Sequence, residues 1–417
     1  MQSQQNLKYN AREAAYFALL ASLRNEGYIK DFLEQWQRQA KPTPQDYHLA
    51  QEISYGSARM ALALDYYAQG LADKNKLALK PKEKAILRTA IYQFAYMDRV
   101  PLYAIVNESI QIAKKHCHQT FVSFLNAILR KLDQGLPALP EGKSPNDLSI
   151  RYSYPPFFIE KLLKEYGNDI TRQILEAGNK AAPVTVRIIN KDEVQGFEIL
   201  TKEPFVMGIL QDPTKFSSIA ASANYYIQNV TPATLIGKLG EHTKSPKNIL
   251  DLCAAPGGKM LAAHVLFPKA KLYANDVSEE KLTRLRENFG KYGLDVTLSC
   301  SKGEELLLDE KFDLIILDVP CTNSGVLNKR PEARWRLSEE SLKELEDIQL
   351  KLIEHAKSLL AEGGTIWYLT CSILGRENKE LVKKGCERFN LVFGDFEETV
   401  LPNEKGWDGG FACILKK

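Results

Sequence analysis

The sequence predicts a multidomain protein. An all-α domain is expected over residues 1–135, a small mixed α/β segment over 145–204 and an α/β domain over 205–417. Three observations carry this reading. At 417 residues the chain exceeds one ordinary core. Residues 10–132 place their apolar side chains at helical spacing, with no alternating strand pattern. From about residue 205, strand-like runs alternate with long helical ones, which is the signature of a doubly wound parallel sheet.

The helical part opens with AREAAYFALLASLRN, where Ala14, Phe17, Ala18 and Ala21 recur at three-and-four spacing. EISYGSARMALALDYYAQGLA, KEKAILRTAIYQFAYM and TFVSFLNAILRKL repeat the pattern. Breaks fall at KPTP (41–44), Lys80-Pro81 and Val100-Pro101. GLPALPEGKSPND (135–147) interrupts every helical period and reads as a linker. A helix at FFIEKLLKEYG and a strand at VTVRIIN (184–190) follow. Strands are then expected at 248–252, 271–276, 296–300, 312–318 and 365–370. The tail FACILKK reads as a last strand, added as an antiparallel edge.

Hydrophobic residues at 44 % and charged residues at 26 % suit a globular protein in water. No apolar run approaches the roughly 18 residues of a membrane helix. MQSQQNLKYN has no apolar stretch of the kind a secretory leader needs. A cytoplasmic monomer without a membrane partner is the expectation. Residues 1–135 hold 18 Lys and Arg against 12 Asp and Glu, a net of +6, and the remainder carries −3. A basic appendage on a slightly acidic body suits a polyanion partner.

Seven cysteines without any CxxC pair speak against a disulfide framework or a zinc ribbon. His116-Cys117-His118 cannot converge on one ion, because neighbours on a helix point apart. No metal site is expected.

Open α/β sheets bind ligands at the carboxyl ends of their strands. The first strand runs into DLCAAPGGKM (251–260), whose Pro256-Gly257-Gly258 turn lets backbone N–H groups approach a ligand. Cys253 and Met260 stand where a P-loop needs Gly and Ser or Thr, and GxGxxG is absent. Asp276, at the end of the second strand, is placed for ribose hydroxyls or for a helix cap before SEEKL. A nucleoside cofactor without phosphates fits. Two further strands end on cysteines fifty residues apart, LDVPCTNSG at Cys321 and GTIWYLTCS at Cys371. Each thiol is either small buried filler or a reaction partner.

Taken in this order, DLCAAPGGK, Asp276, DVPC and TCS resemble the S-adenosylmethionine-dependent RNA cytosine-C5 methyltransferases of the Sun/RsmB type. Residues 1–135, closing on FLNAILRKL, resemble the NusB-like RNA-binding domain of the bacterial ribosomal RNA members. SYPPFFIEKLLKEYG with VTVRIIN resembles the family's pre-catalytic segment, and QDPTKFSS (211–218) the approach to its Rossmann-like methyltransferase domain. The resemblance implies methylation of C5 of a cytidine in ribosomal RNA, of the small subunit foremost, through a covalent cysteine–C6 intermediate. It implies a cofactor pocket of Cys253, Ala254, Ala255, Pro256, Gly257, Gly258, Lys259, Asp276 and Asp318. It makes Cys371 the nucleophile and Cys321 the release group. Asp318 would hold the cytosine edge, with Lys259 facing the same cavity. DNA cytosine methyltransferases attack with the Pro-Cys thiol, so spacing alone leaves the two roles exchangeable. Lys302 stands where the family has an Asp near the adenine, and DVPCTNSG departs from the commoner DAPCSGTG. The loop NKRPEARWR (328–336) suits base stacking on Trp335 or a charged surface loop that Trp335 anchors. The rival functions are an assembly factor with a decayed methyltransferase domain and the same chemistry on transfer RNA.

Overall fold

The computed structural model describes residues 9–73 and 76–417. The reading of the first eight residues therefore lies outside the described residues. Among the described residues, seven helices come first: α1 (Ala11–Leu23), α2 (Ile29–Ala40), α3 (Pro44–Arg59), α4 (Ala61–Leu71), α5 (Pro81–Tyr96), α6 (Leu102–His116) and α7 (Gln119–Lys131). The expected breaks are helix starts. Pro44 and Pro81 occupy the first position of α3 and α5, where a missing N–H costs nothing, and Pro101 caps α6. Asn10 accepts the Glu13 N–H to start α1. Tyr16, Leu19, Leu33, Trp36, Ile53, Leu64 and Ile91 build the helical core.

Two more helices follow, α8 (Pro145–Tyr152) and α9 (Pro156–Ala177), the latter broken at Gly167 with φ +71°. The chain forms two compact units. The first comprises residues 1–164 with 330–336, the second 165–329 with 337–417. The unit boundary thus lies beside the break in α9, beyond the Gly/Pro-rich stretch at 135–147.

In the second unit, four strands form a small antiparallel sheet in the order β2-β3-β1-β4. They are β1 (Thr185–Ile188), β2 (Phe197–Thr201), β3 (Val206–Leu210) and β4 (Tyr225–Ile227), with α10 (Phe216–Ala221) before the last. Because β2 pairs with β3, the expected division at 204/205 falls inside this sheet.

The large sheet holds β5 (Asn248–Asp251), β6 (Lys271–Asp276), β7 (Val296–Cys300), β8 (Phe312–Asp318), β9 (Leu360–Thr370), β10 (Val392–Val400) and β11 (Gly410–Lys416). Its order is β10-β11-β9-β8-β5-β6-β7, with β5 to β9 parallel. Both faces are buried, as a parallel sheet requires. Ile249, Leu314 and Ile316 pack on one side with α11 (Val230–Glu241), α12 (Gly258–Leu266) and α13 (Glu279–Lys291). Leu250, Ile315 and Leu317 pack on the other with α14 (Glu339–Leu359) and α15 (Lys379–Phe389). This is the period-2 alternation of a strand, with both sets apolar.

The tail strand needs correction. β11 is antiparallel, as expected, but it is interior, between β9 and β10. Its Phe411–Leu415 run is fully buried, which an edge could not provide. The edge is β10, whose sequence VFGDFEETV was not read as a strand. Its acidic residues pair outward, Asp395 with Lys416 and Glu397 with Lys379, and a register shift follows Phe393. Charges and bulges are how edges avoid pairing with other chains.

Candidate active site

The strand order reverses at β5, which has β6 on one side and β8 on the other. Ligands bind at such a switch point, beyond the carboxyl ends. The turn after β5 is tied to β6: Ala254 N–H donates to Asn275 O at 2.9 Å and Ala255 N–H to Asp276 Oδ2 at 2.9 Å. Asn275 binds Leu252 O and Ser301 O through its amide, so one side chain joins three strand ends. Gly257 has φ +98°, and a Cβ there would meet Phe289 at 2.8 Å, so both conformation and space demand glycine. From β1, the buried Arg187 lies over Phe205 and Tyr226 and reaches Gly258 O at 3.5 Å.

Three carboxylates gather at this turn. Asp276 is 4 % exposed and accepts from Ala255 N–H, Val277 N–H and Lys281 Nζ. The cap of α13 is Ser278, so Asp276 is not spent on that role. Asp318 closes β8 and pairs through Oδ2 with Lys259 Nζ. Burial pulls the Lys259 ammonium down, but Asp318 outweighs it and holds the group above its ordinary range, with Cys371 and Asp251 adding. Asp251 is 1 % exposed, and neither of its oxygens makes a well-formed hydrogen bond. Burial first, then Asp318, push it up to about 8, against the opposing pull of Lys259.

The two cysteines meet. Asp318 of β8 pairs in register with Leu369 of β9, so the loops that follow run side by side. Cys321 Sγ lies 3.1 Å from Cys371 Sγ. Cys321 is buried and Cys371 half-buried. The Cys321 thiol is pushed well up by its bond to Cys371, by burial and by the nearby Glu377. Asn323, at φ +59°, donates to Cys321 O at 2.9 Å and accepts from Cys371 Sγ at 3.1 Å. Asn is among the few side chains that tolerate this left-handed backbone. Gly325 N–H donates to Cys371 O at 2.9 Å, and a Cβ on Gly325 would lie 2.5 Å from Gly409 O.

Several residues of this site escaped the sequence reading. Glu377, wholly buried, accepts from Thr322 N–H and from the Thr322 and Ser372 hydroxyls. Asn378 takes the Thr370 hydroxyl at 2.6 Å and donates to Ser372 O at 3.0 Å. The available signal was a hydroxyl residue behind each cysteine and an Glu-Asn pair soon after the second.

Lys302 points to Glu305 at 2.8 Å on an exposed turn. Arg334 is buried in the first unit, donating to Arg59 O and Ser153 O and lying 3.8 Å from the Tyr154 ring centre. Trp335 Nε1 donates to Ala58 O at 2.7 Å, which favours the reading of a charged loop that Trp335 anchors. His116 binds Glu13 at 3.1 Å and stacks on Tyr16.

Residues 241–408 match the model of the 16S rRNA methyltransferase RsmB/F family, and residues 9–134 match the NusB family. The ribosomal RNA small subunit methyltransferase B of Vibrio cholerae is 28 % identical over 98 % of both chains. The probable methyltransferase B of Bacillus subtilis is 25 % identical over 98 % of this chain and 99 % of its own length. Among solved structures, PH0851 superimposes with a TM-score of 0.79 at 22 % identity, over 99 % of this chain and all of its own. NSun6 from Pyrococcus horikoshii, solved with SFG, gives 0.56 at 17 % identity over 64 % and 99 %. These two likenesses show the fold. Residues 241–408 are thus similar to the S-adenosylmethionine-dependent RsmB/F family of 16S rRNA methyltransferases, and residues 9–134 ahead of them to the NusB family.

Proposed function

We propose that this protein methylates C5 of a cytidine in small-subunit ribosomal RNA, with Cys371 attacking C6 and Cys321 serving release. One observation carries the reading: two thiols 3.1 Å apart at the ends of adjacent parallel strands, beside the Lys259–Asp318 pair.

The turn fits the family's cofactor by its chemistry. Asp251, Asp276 and Asp318 make an acidic cluster suited to a cationic, phosphate-free nucleoside. A carboxylate offers about four acceptor sites, so Asp276, with three taken, keeps one for a ribose hydroxyl. The Asp251 oxygens, near the Cys253 N–H but without a well-formed hydrogen bond, can accept from a ligand donor. The backbone of Cys253, Ala254, Ala255, Pro256, Gly257, Gly258 and Lys259 would line the pocket, closed by Asp318. When bound, S-adenosylmethionine supplies an electrophilic methyl group.

The chain's residues have to make C5 a nucleophile. A thiolate at Cys371 faces the Lys259 ammonium, while Cys321 is held as a thiol and can donate a hydrogen bond to that thiolate. Adding Cys371 Sγ to C6 forms the C–S bond and moves the ring electrons to C5, which takes the methyl group. Asp318, with one oxygen free of Lys259, would hold the cytosine edge. Removing the C5 proton restores the C5–C6 double bond and expels Cys371. Cys321, next to the nucleophile, is the base in reach: its thiol first loses its proton to solvent, and the resulting thiolate takes the C5 proton as Cys371 leaves as a thiolate. The base has to leave any duplex stack to arrive here. The NusB-family domain would hold the RNA, in keeping with the +6 charge of residues 1–135.

The test is to incubate the full chain with small-subunit rRNA and methyl-labelled cofactor and to map the product. One 5-methylcytidine is expected. Label on another atom, or unchanged methylation after both cysteines are replaced, would overturn the proposal.

A further inference from the structure

Glu377 grips both cysteine loops. One carboxylate oxygen accepts from Thr322 N–H at 2.8 Å and Gln349 Nε2 at 3.2 Å. The other accepts from the Thr322 and Ser372 hydroxyls, each at 2.5 Å. Thr322 directly follows Cys321, and Ser372 directly follows Cys371. A side chain from a third segment, the turn Gly375–Glu377 ahead of α15, therefore clasps the residue behind each thiol. Tyr368 holds that segment in turn, its hydroxyl donating to Glu377 O at 2.7 Å.

All four donors are neutral, so no cation compensates the carboxylate among these contacts. Burial pushes its pKa up, while Ser372, Thr322 and Gln349 favour the charged form. A buried carboxylate is a costly way to close two strand ends that backbone bonds and apolar side chains can close. What four converging bonds add is a fixed relation between the two loops. The chemistry needs that relation. Cys371 bonds to C6, and Cys321 has to reach the proton on C5, the adjacent ring atom.

We propose that Glu377 is the positioning residue of the two-thiol site, holding the Cys321 and Cys371 loops in one register so that both sulfurs serve the same base. The role rests on the cysteine chemistry proposed above. Glu377 touches neither sulfur, and it acts through Thr322 and Ser372.

Three variants of the full chain separate positioning from charge and from bulk stability. Glu377→Gln keeps the reach: its carbonyl accepts from Thr322 N–H and Gln349, and its amide donates to hydroxyls that rotate to accept. Glu377→Asp keeps the charge but is one methylene too short to bridge. Glu377→Ala removes both. The first readout is thiol exchange with glutathione disulfide. The protein gives up two electrons and two protons, forming one Cys321–Cys371 disulfide and two glutathione thiols, and the equilibrium measures how often the sulfurs meet. The second is kcat and KM for methyl transfer.

In Glu377→Ala the equilibrium is expected to fall about 10-fold and kcat about 100-fold, as for a displacement of about 1 Å, with cofactor KM within about twofold. Glu377→Gln should stay within about threefold of the parent on both readouts, and Glu377→Asp should resemble the Ala variant. A folded Ala variant with the parental thiol equilibrium overturns the proposal, as does an Asp variant equal to or better than Gln. Should the Ala variant not fold, the Gln and Asp pair decides. The exchange readout needs no methylation, so it tests Glu377 even where the cysteine mechanism fails. Lost kcat with an unchanged equilibrium would count against positioning.

Discussion

Asp251 and Glu377 are both buried carboxylates in the catalytic unit, 1 % and 0 % exposed, yet they are built in opposite ways. Glu377 collects four donors from three segments. Asp251 makes no well-formed hydrogen bond and faces two further carboxylates. On the cysteine side both carboxylate oxygens of Glu377 are satisfied in the free protein, whereas on the cofactor side the Asp251 carboxyl group is not. A satisfied network specifies geometry, and an unsatisfied group is a place for a ligand. The chain spends rigidity on its thiols and keeps its cofactor turn in need of a partner.

The largest effect should come from the thiols. Cys371→Ala is expected to abolish both RNA adduct and methylation, because the ring is never activated. Cys321→Ala should transfer the methyl group and then stall with RNA attached. The stalled species would run as a slow, ribonuclease-sensitive band on a denaturing gel. A trapped complex from Cys371→Ala and none from Cys321→Ala would exchange the two roles.

Asp251→Asn attacks the other half of the comparison. The folded pKa of about 8 lies above the unfolded value of about 4, so the folded state holds an extra proton between them. This contribution to stability is complete below about pH 4 and is lost as pH rises towards 8. The variant, which cannot ionise, should differ little from the parent near pH 4 and become progressively more stable than it as pH rises towards 8. Cofactor affinity should fall about tenfold in calorimetry above pH 8, where the parent carboxylate is ionised and one hydrogen bond to a charge is removed. Raised stability with unchanged affinity would mean that the carboxylate does not meet the cofactor.

The pH dependence of release sharpens the cysteine side. Neighbouring Cys371, burial and Glu377 hold the Cys321 thiol up, so its thiolate appears only as pH rises. Adduct decay after a single turnover should accelerate from about pH 7 to 9, by up to about tenfold per unit. A flat profile would assign proton removal to another group. The smallest effect is reserved for Lys302→Asp. The side chain is exposed and pairs with Glu305, so cofactor affinity should change less than about twofold in calorimetry. Tightening well beyond that would show that this turn does reach the adenosine.

Local chemistry determined much of this protein without help. Helical spacing, prolines at helix starts, apolar strand runs and the Pro-Gly-Gly turn are properties of neighbouring residues, and the sequence displays them directly. The right-handed habit of parallel crossovers then brings Asp251, Asp276, Asp318 and Cys371 to one sheet edge. Tertiary structure decided what rests on distant partners. Glu377 meets Thr322 across 55 positions and Gln349 across 28, and no periodicity encodes such pairs. β11 is interior because an acidic strand covers it, and acidic residues in β10 hide the strand pattern. Arg334 and Trp335, whose loop read either as a stacking platform or as an anchored charged loop, are held in the first unit by carbonyls of Arg59, Ser153 and Ala58. Backbone acceptors of that kind are present at every residue, so only the folded chain selects which of them a side chain will find.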